Sequence, residues 1–118
     1  MPEARSLFAA VDAQDVDALA ALLADDSRLV FGNQEPLLGR AAVLAGNEAF
    51  FQLVRGLRHQ VRNEWTVGAD TIAETDVTYT RLDGKEVTVP AVTIWRVDGD
   101  GLIVDLRIYV DQAPLFAP

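Results

Sequence analysis

Leu7, Phe8 and Val11 recur at helical spacing in an alanine-rich stretch, which predicts a short amphipathic helix over about 3–13. Asp15 then stands where an N-cap belongs, and Asp17 adds a carboxylate to the first turn, where the helix dipole favours it. Val16, Leu19, Leu22 and Leu23 form the apolar face of this second helix, and Asp25-Asp26-Ser27 ends it. Leu29, Val30 and Phe31 read as a short strand. A loop, Gly32-Asn33-Gln34-Glu35-Pro36, leads to a third helix opened by Gly39, with the stripe Val43, Leu44, Asn47, Phe50, Phe51, Val54 and Leu57. Gly46 inside that stripe costs about 1 kcal/mol against Ala, unless it lets a neighbour approach the helix closely.

From His59 the period changes to strands. Residues 59–67 alternate through Val61, Asn63 and Trp65, and residues 71–82 are rich in Thr, Val and Tyr. Asp83-Gly84 is a strong hairpin signal. Residues 87–97 follow, with Pro90 marking an edge, an end or a bulge. Asp98-Gly99-Asp100-Gly101 makes a second turn, residues 102–111 form the last strand, and Pro114 stops the tail. Three helices and a short strand followed by a four-strand antiparallel meander argue an α+β fold.

The 118 residues make one domain, residues 1–118, and half of them are hydrophobic, enough for a core without staples. The absence of cysteine excludes disulfides, thiolate catalysis and cysteine-held metals. With a single histidine besides, no metal is expected; the expected chemistry is cofactor-free. A net charge of −8 argues against nucleic acid and against an anionic membrane surface. No apolar run approaches the ~20 residues of a membrane span. The start, Met1-Pro2-Glu3-Ala4-Arg5, lacks the features of a secretory signal, so a soluble cytoplasmic protein is expected.

The order of elements, with "LLADDSRLVF" after a "DVDAL" helix, "GRAAV" opening the third helix, and "TYTRLDGKEVTVPAVTIWRVDGDGLIVDLRIYVD" as a closing meander, resembles the nuclear transport factor 2-like superfamily. The similarity is closest to its SnoaL-like subgroup, which includes polyketide cyclases. The resemblance implies a cone: a curved antiparallel sheet wrapped around the long helix, an apolar pocket inside, and a homodimer through the outer sheet face. The superfamily holds isomerases, hydrolases, cyclases, binding proteins and non-catalytic adaptors, so fold alone does not name a function.

The resemblance also assigns faces. Strands send alternate residues to opposite sides, and the position of the oxyanion-binding acid of ketosteroid isomerases falls on Thr93. Ala91, Thr93, Trp95 and Val97 then point inward. Carried back through the hairpin, the inward set becomes Glu74, Asp76, Thr78 and Thr80. His59, Val61, Asn63 and Trp65 point inward from the preceding strand, and Val104, Leu106, Ile108 and Val110 from the last. Leu29 and Phe31 join them. On the strand of Asp76 the opposite face, with Val77 and Tyr79, is the more apolar, and a one-residue slip exchanges the two sets.

The isomerase groups themselves are replaced: its base by Phe31, its oxyanion tyrosine by Leu7, its protonated acid by Thr93. Of the limonene-epoxide hydrolase set, one carboxylate matches Asp76, whereas Glu74, Ile108 and Phe31 stand at the other positions. The acid/base Asp of SnoaL-like cyclases falls on Ile108. Asp76 is thus the candidate acid/base, or else a solvated carboxylate at the cone mouth. His59, the only histidine, is the second candidate, either working on a ligand or capping the preceding helix. Phe31, Phe50, Asn63, Trp65, Thr78, Thr93, Trp95 and Ile108 are the expected pocket residues, the rings serving as core or as lining for a flat apolar ligand. Val77, Tyr79, Arg107 and Tyr109 are expected on the outer face, as anchors of the homodimer. The function expected is binding of a small apolar or aromatic molecule, with isomerase, cyclase or epoxide-hydrolase chemistry; the alternative is a non-catalytic binding or dimeric interaction module.

Overall fold

The computed structural model describes residues 3–118. Helices α1 (Ala4–Asp12) and α2 (Val16–Leu22) come first. The Asp15 carboxylate caps α2 by accepting from the Ala18 N–H at 3.1 Å. The chain then turns extended one turn earlier than its apolar spacing predicts: Leu23 opens strand β1 (Leu23–Phe31) instead of closing the helix. Leu23 pairs with Ile103, and burying both in the core outweighs one more helical turn. A two-residue strand, β2 (Leu37–Leu38), precedes helix α3 (Arg40–Phe51). Val54 and Leu57 lie beyond that helix, Leu57 already in strand β3 (Gly56–Val67). Strands β4 (Asp70–Thr80), β5 (Glu86–Val97) and β6 (Ile103–Val110) complete the meander. Pro114 does not stop the tail but lies in the first turn of a short helix, α4 (Ala113–Phe116), a position where its missing N–H costs nothing.

The six strands form one curved mixed sheet in the order β2-β1-β6-β5-β4-β3, with β1 and β6 parallel and the other neighbours antiparallel. Its inner face packs on α1, α2 and α3 through Leu7, Phe8, Leu19, Val43, Trp95 and Ile103. A second cluster, around Val54, Val77, Tyr79, Val89 and Leu115, closes the other end. The α+β cone is therefore present. At Gly46 a Cβ would collide with the Leu37 side chain, so this glycine does admit a close neighbour.

Two local irregularities reassign faces. The β4–β5 hairpin is closed by Arg81 N–H donating to the Lys85 carbonyl at 2.7 Å, with Gly84 at φ 90°. Leu82, Asp83 and Gly84 thus make a three-residue loop ending in a left-handed residue, not a two-residue turn. The extra residue pairs Thr93 with Ala73 instead of Glu74. Thr71, Ala73, Thr75, Val77 and Tyr79 are consequently buried on the inner face. Glu74, Asp76, Thr78 and Thr80 face outward, the reverse of the expected assignment. On β3, a bulge between Val61 and Asn63 sets Asn63 opposite Glu74 and Trp65 opposite Ile72, turning both outward. A bulge between β5 and β6 pairs Val97 with Ile103, so Ile103 and not Val104 fills the core there.

Candidate active-site cavity

Between the sheet and α1, α3 and α4 lies a cavity of about 590 Å³, within the usual size of a small-molecule site. Leucines, valines and phenylalanines make most of its wall. Five of the expected residues line it: Phe31, Phe50, His59, Thr93 and Ile108. Trp95 is buried in the core beside it, edge-on to Phe8 with ring centroids 6.1 Å apart. Asp76, Asn63, Thr78 and Trp65 do not reach it. Asp76 is paired with Arg62 on the outer face. Asn63 donates to Glu74 at 2.7 Å, Thr78 shares a hydrogen bond with Thr88 at 2.9 Å, and Trp65 is half exposed. The hairpin loop and the β3 bulge are the physical causes of all four displacements.

His59 is held by a residue that the periodicity did not single out. Asp12, at the end of α1, accepts from the His59 backbone N–H at 2.9 Å and meets the imidazole Nδ1 at 2.5 Å. The ring also stacks on Phe8, with centroids 4.3 Å apart and planes 12° from parallel. Phe8 and Asp12 are four residues apart and so share a helix face; a carboxylate one turn beyond a core phenylalanine was the available signal. His59 is only 10 % exposed and Asp12 24 %.

Tyr79, expected outside, instead lines the cavity and meets Phe50 edge-on at 5.8 Å. Its hydroxyl accepts from Gln112 Nε2 at 3.0 Å. Burial raises the Tyr79 phenol above its ordinary value, with the Gln112 hydrogen bond pulling the other way. Gln34 and Asn47 add neutral polar groups; Asn47 Nδ2 donates to the Val43 carbonyl at 2.8 Å. Among the described residues no Asp, Glu, Lys or Arg lines the cavity, and its titratable groups are His59 and Tyr79.

Residues 4–106, nearly the whole chain, match the family of SnoaL-like domains. The chain belongs to that family. Solved structures place the SnoaL-like domain in the same fold. A nuclear transport factor 2-like protein of unknown function from Burkholderia pseudomallei K96243 is 19 % identical, with a TM-score of 0.84 over 94 % of this chain and 89 % of that one. TerC, co-crystallised with polyporic acid, is 18 % identical, with a TM-score of 0.81 over 94 % and 90 % of the two chains. An LEH-like epoxide hydrolase of M. tuberculosis is 20 % identical, with a TM-score of 0.78 over 91 % and 78 %. At these identities the likeness shows the fold. No curated protein matches the chain in sequence. Among the described residues, no helix is long and apolar enough to cross a membrane.

Proposed function

We propose that this SnoaL-like domain binds a small, uncharged, apolar or aromatic molecule inside the cone and acts on it by cofactor-free acid/base chemistry of the isomerase, cyclase or hydrolase kind. The supporting observation is the 590 Å³ cavity, walled by aliphatic and aromatic side chains and lacking any Asp, Glu, Lys or Arg among its described lining residues. An ionised ligand entering it would lose hydration with no charge to compensate, whereas a flat apolar one gains burial against Phe31 and Phe50. TerC, of the same fold, was co-crystallised with a small organic molecule, and an epoxide hydrolase shares the fold as well. Asp76, paired with Arg62 on the outer face, takes no part in this reading.

Thermal-shift screening against uncharged aromatic and polyketide-like compounds tests it. A bound ligand at a hundredfold excess over its dissociation constant stabilises the fold by ~2.7 kcal/mol. Thr93→Phe, which puts a ring into the cavity, is expected to abolish the shift. Melting curves unmoved across such a library would refute binding.

The outer face supports a homodimer. Trp65 is 50 %, Val67 70 % and Tyr109 46 % exposed. Ile72 and Ile94 pair between Trp65 on one side and Arg107 on the other, so apolar groups and an arginine cross four strands in one row. Aromatic and Arg anchors of this type are enriched at interfaces. Sedimentation at tens of micromolar, about where a micromolar dimer is formed, tests it; monomer alone would refute it.

A further inference from the structure

We infer that Asp12 and His59 form a proton-transfer dyad, in which Asp12 fixes the imidazole with its proton on Nδ1 and leaves Nε2 as the base facing the cavity. The inference rests on the cavity being a ligand site and adds the group that acts there and the residue that sets it. Both Asp12 oxygens are committed to His59: one meets Nδ1 at 2.5 Å, the other accepts the backbone N–H at 2.9 Å. This two-point hold fixes the ring's position and its rotation. Phe8, stacked at 4.3 Å, blocks one face of the ring. A neutral imidazole facing a carboxylate must carry its proton on the nitrogen that faces it. Nε2 has no protein partner among the described residues, while the ring itself lines the cavity.

The carboxylate stands outside the cavity lining, so the pair brings basicity into an apolar space without placing a fixed charge there. Such an arrangement suits an uncharged substrate that gives up a proton from carbon or oxygen. In the step, the Nε2 lone pair takes that proton and the bonding pair stays on the substrate. The imidazolium so formed is stabilised by Asp12 and later returns the proton. Among the described residues, Asp12 is the charged group that hydrogen-bonds to His59, and Val77 is its neighbour across the sheet. His59 is the catalytic residue of the pair and Asp12 a positioning residue.

Nitrogen-15 NMR of the single histidine reads the tautomer directly. Nδ1–H is expected in the parent protein, and a mixture of tautomers in Asp12→Asn. In parallel, 5-nitrobenzisoxazole serves as an uncharged aromatic probe. A base removes its ring C–H, the electrons form the nitrile, the N–O bond breaks and a coloured phenolate leaves. His59→Ala is expected to lower its turnover by ~10²-fold or more, the usual scale of positioned general bases. Asp12→Asn is expected to lower kcat at least tenfold with KM unchanged. Binding of the uncharged dye N-phenyl-1-naphthylamine, followed by fluorescence in all three proteins, separates the two claims. No dye binding overturns the cavity reading and the dyad with it. Dye binding with turnover unaffected by His59→Ala overturns the dyad alone, as does an Nε2–H tautomer or one that ignores Asp12→Asn. Asp12→Glu, which keeps the carboxylate, guards against an Asp12→Asn variant that fails to fold: a pure Nδ1–H signal there supports the assignment, and an Nε2–H signal overturns it.

Discussion

Adjacent positions on β4 offer a test of which face looks inward. Val77 is 1 % exposed beside the cavity, whereas Asp76 is on the outer face with Arg62. Val77→Ala removes two buried methyl groups at ~0.8 kcal/mol each, hence ~1.6 kcal/mol in transfer free energy. The residual-void penalty adds little, because this side chain already borders open space and its loss merges with the cavity. A total of about 1.5–2.5 kcal/mol corresponds to roughly 5–10 °C in a domain of this size. Asp76→Ala removes one half of a solvent-facing pair and is expected to move the melting temperature by no more than about 3 °C. Differential scanning calorimetry of the two variants at low and high salt gives both numbers. A costly Asp76→Ala with a neutral Val77→Ala would mean the opposite register, with Asp76 inside, and would refute the three-residue hairpin as the element that sets it.

Three other outcomes are expected. The Tyr79 phenol is raised by burial, so the folded state holds its proton longer than the unfolded chain; stability is complete below pH ~10 and falls as pH rises beyond it. Tyr79→Phe should flatten that alkaline slope, and an unchanged slope in denaturant titrations would contradict the burial of the hydroxyl. Gly46→Ala gains helix propensity of up to about 1 kcal/mol but drives the Leu37 side chain from its place at the cavity wall; melting should shift by a few degrees at most while dye affinity falls several-fold, and unaltered affinity would count against Leu37 as lining. Trp65→Glu should weaken the proposed self-association in sedimentation without lowering dye binding, since Trp65 lies on the outer face; loss of dye binding would contradict that placement.

The cone was legible through the resemblance to the nuclear transport factor 2-like superfamily, while periodicity located most of the helices and strands that build it. The helical stripes that hold Leu7 and Phe8 on α1 and Val43 on α3 marked residues that do meet in one core. The inward sets on β5 and on most of β6 followed from the face that the resemblance assigned, carried along each strand by alternation, and Phe31, Phe50, His59, Thr93 and Ile108 line the cavity. Alternation fails wherever one residue is inserted, because the period is two and each insertion reverses every later side chain. Gly84 fits a two-residue and a three-residue turn alike, so Asp83-Gly84 could not settle the face of Asp76. The apolar character of Val77 and Tyr79 was the better guide, since burial energy and not turn chemistry decides the register. The β3 bulge, which turned Asn63 and Trp65 outward, has no signal of its own in the residues around Arg62. Asp12 was missed for another reason: its partner is 47 residues away, and only the packing of α1 across the start of β3 brings the two together.

Methyl-labelled NMR measures occupancy of the cavity without knowledge of the natural ligand. The protein is titrated with an uncharged aromatic such as benzene or N-phenyl-1-naphthylamine, and valine, leucine and isoleucine methyls are followed. Ring-current shifts are expected at Leu57, Val77, Leu106, Ile108 and Val110, which line the cavity, and none at Val67, Ile72 or Ile94 on the outer face. Saturable shifts confined to the first set, and lost in Thr93→Phe, are the result the account predicts. Shifts confined to the outer set, or no saturable shift at any methyl, would contradict it.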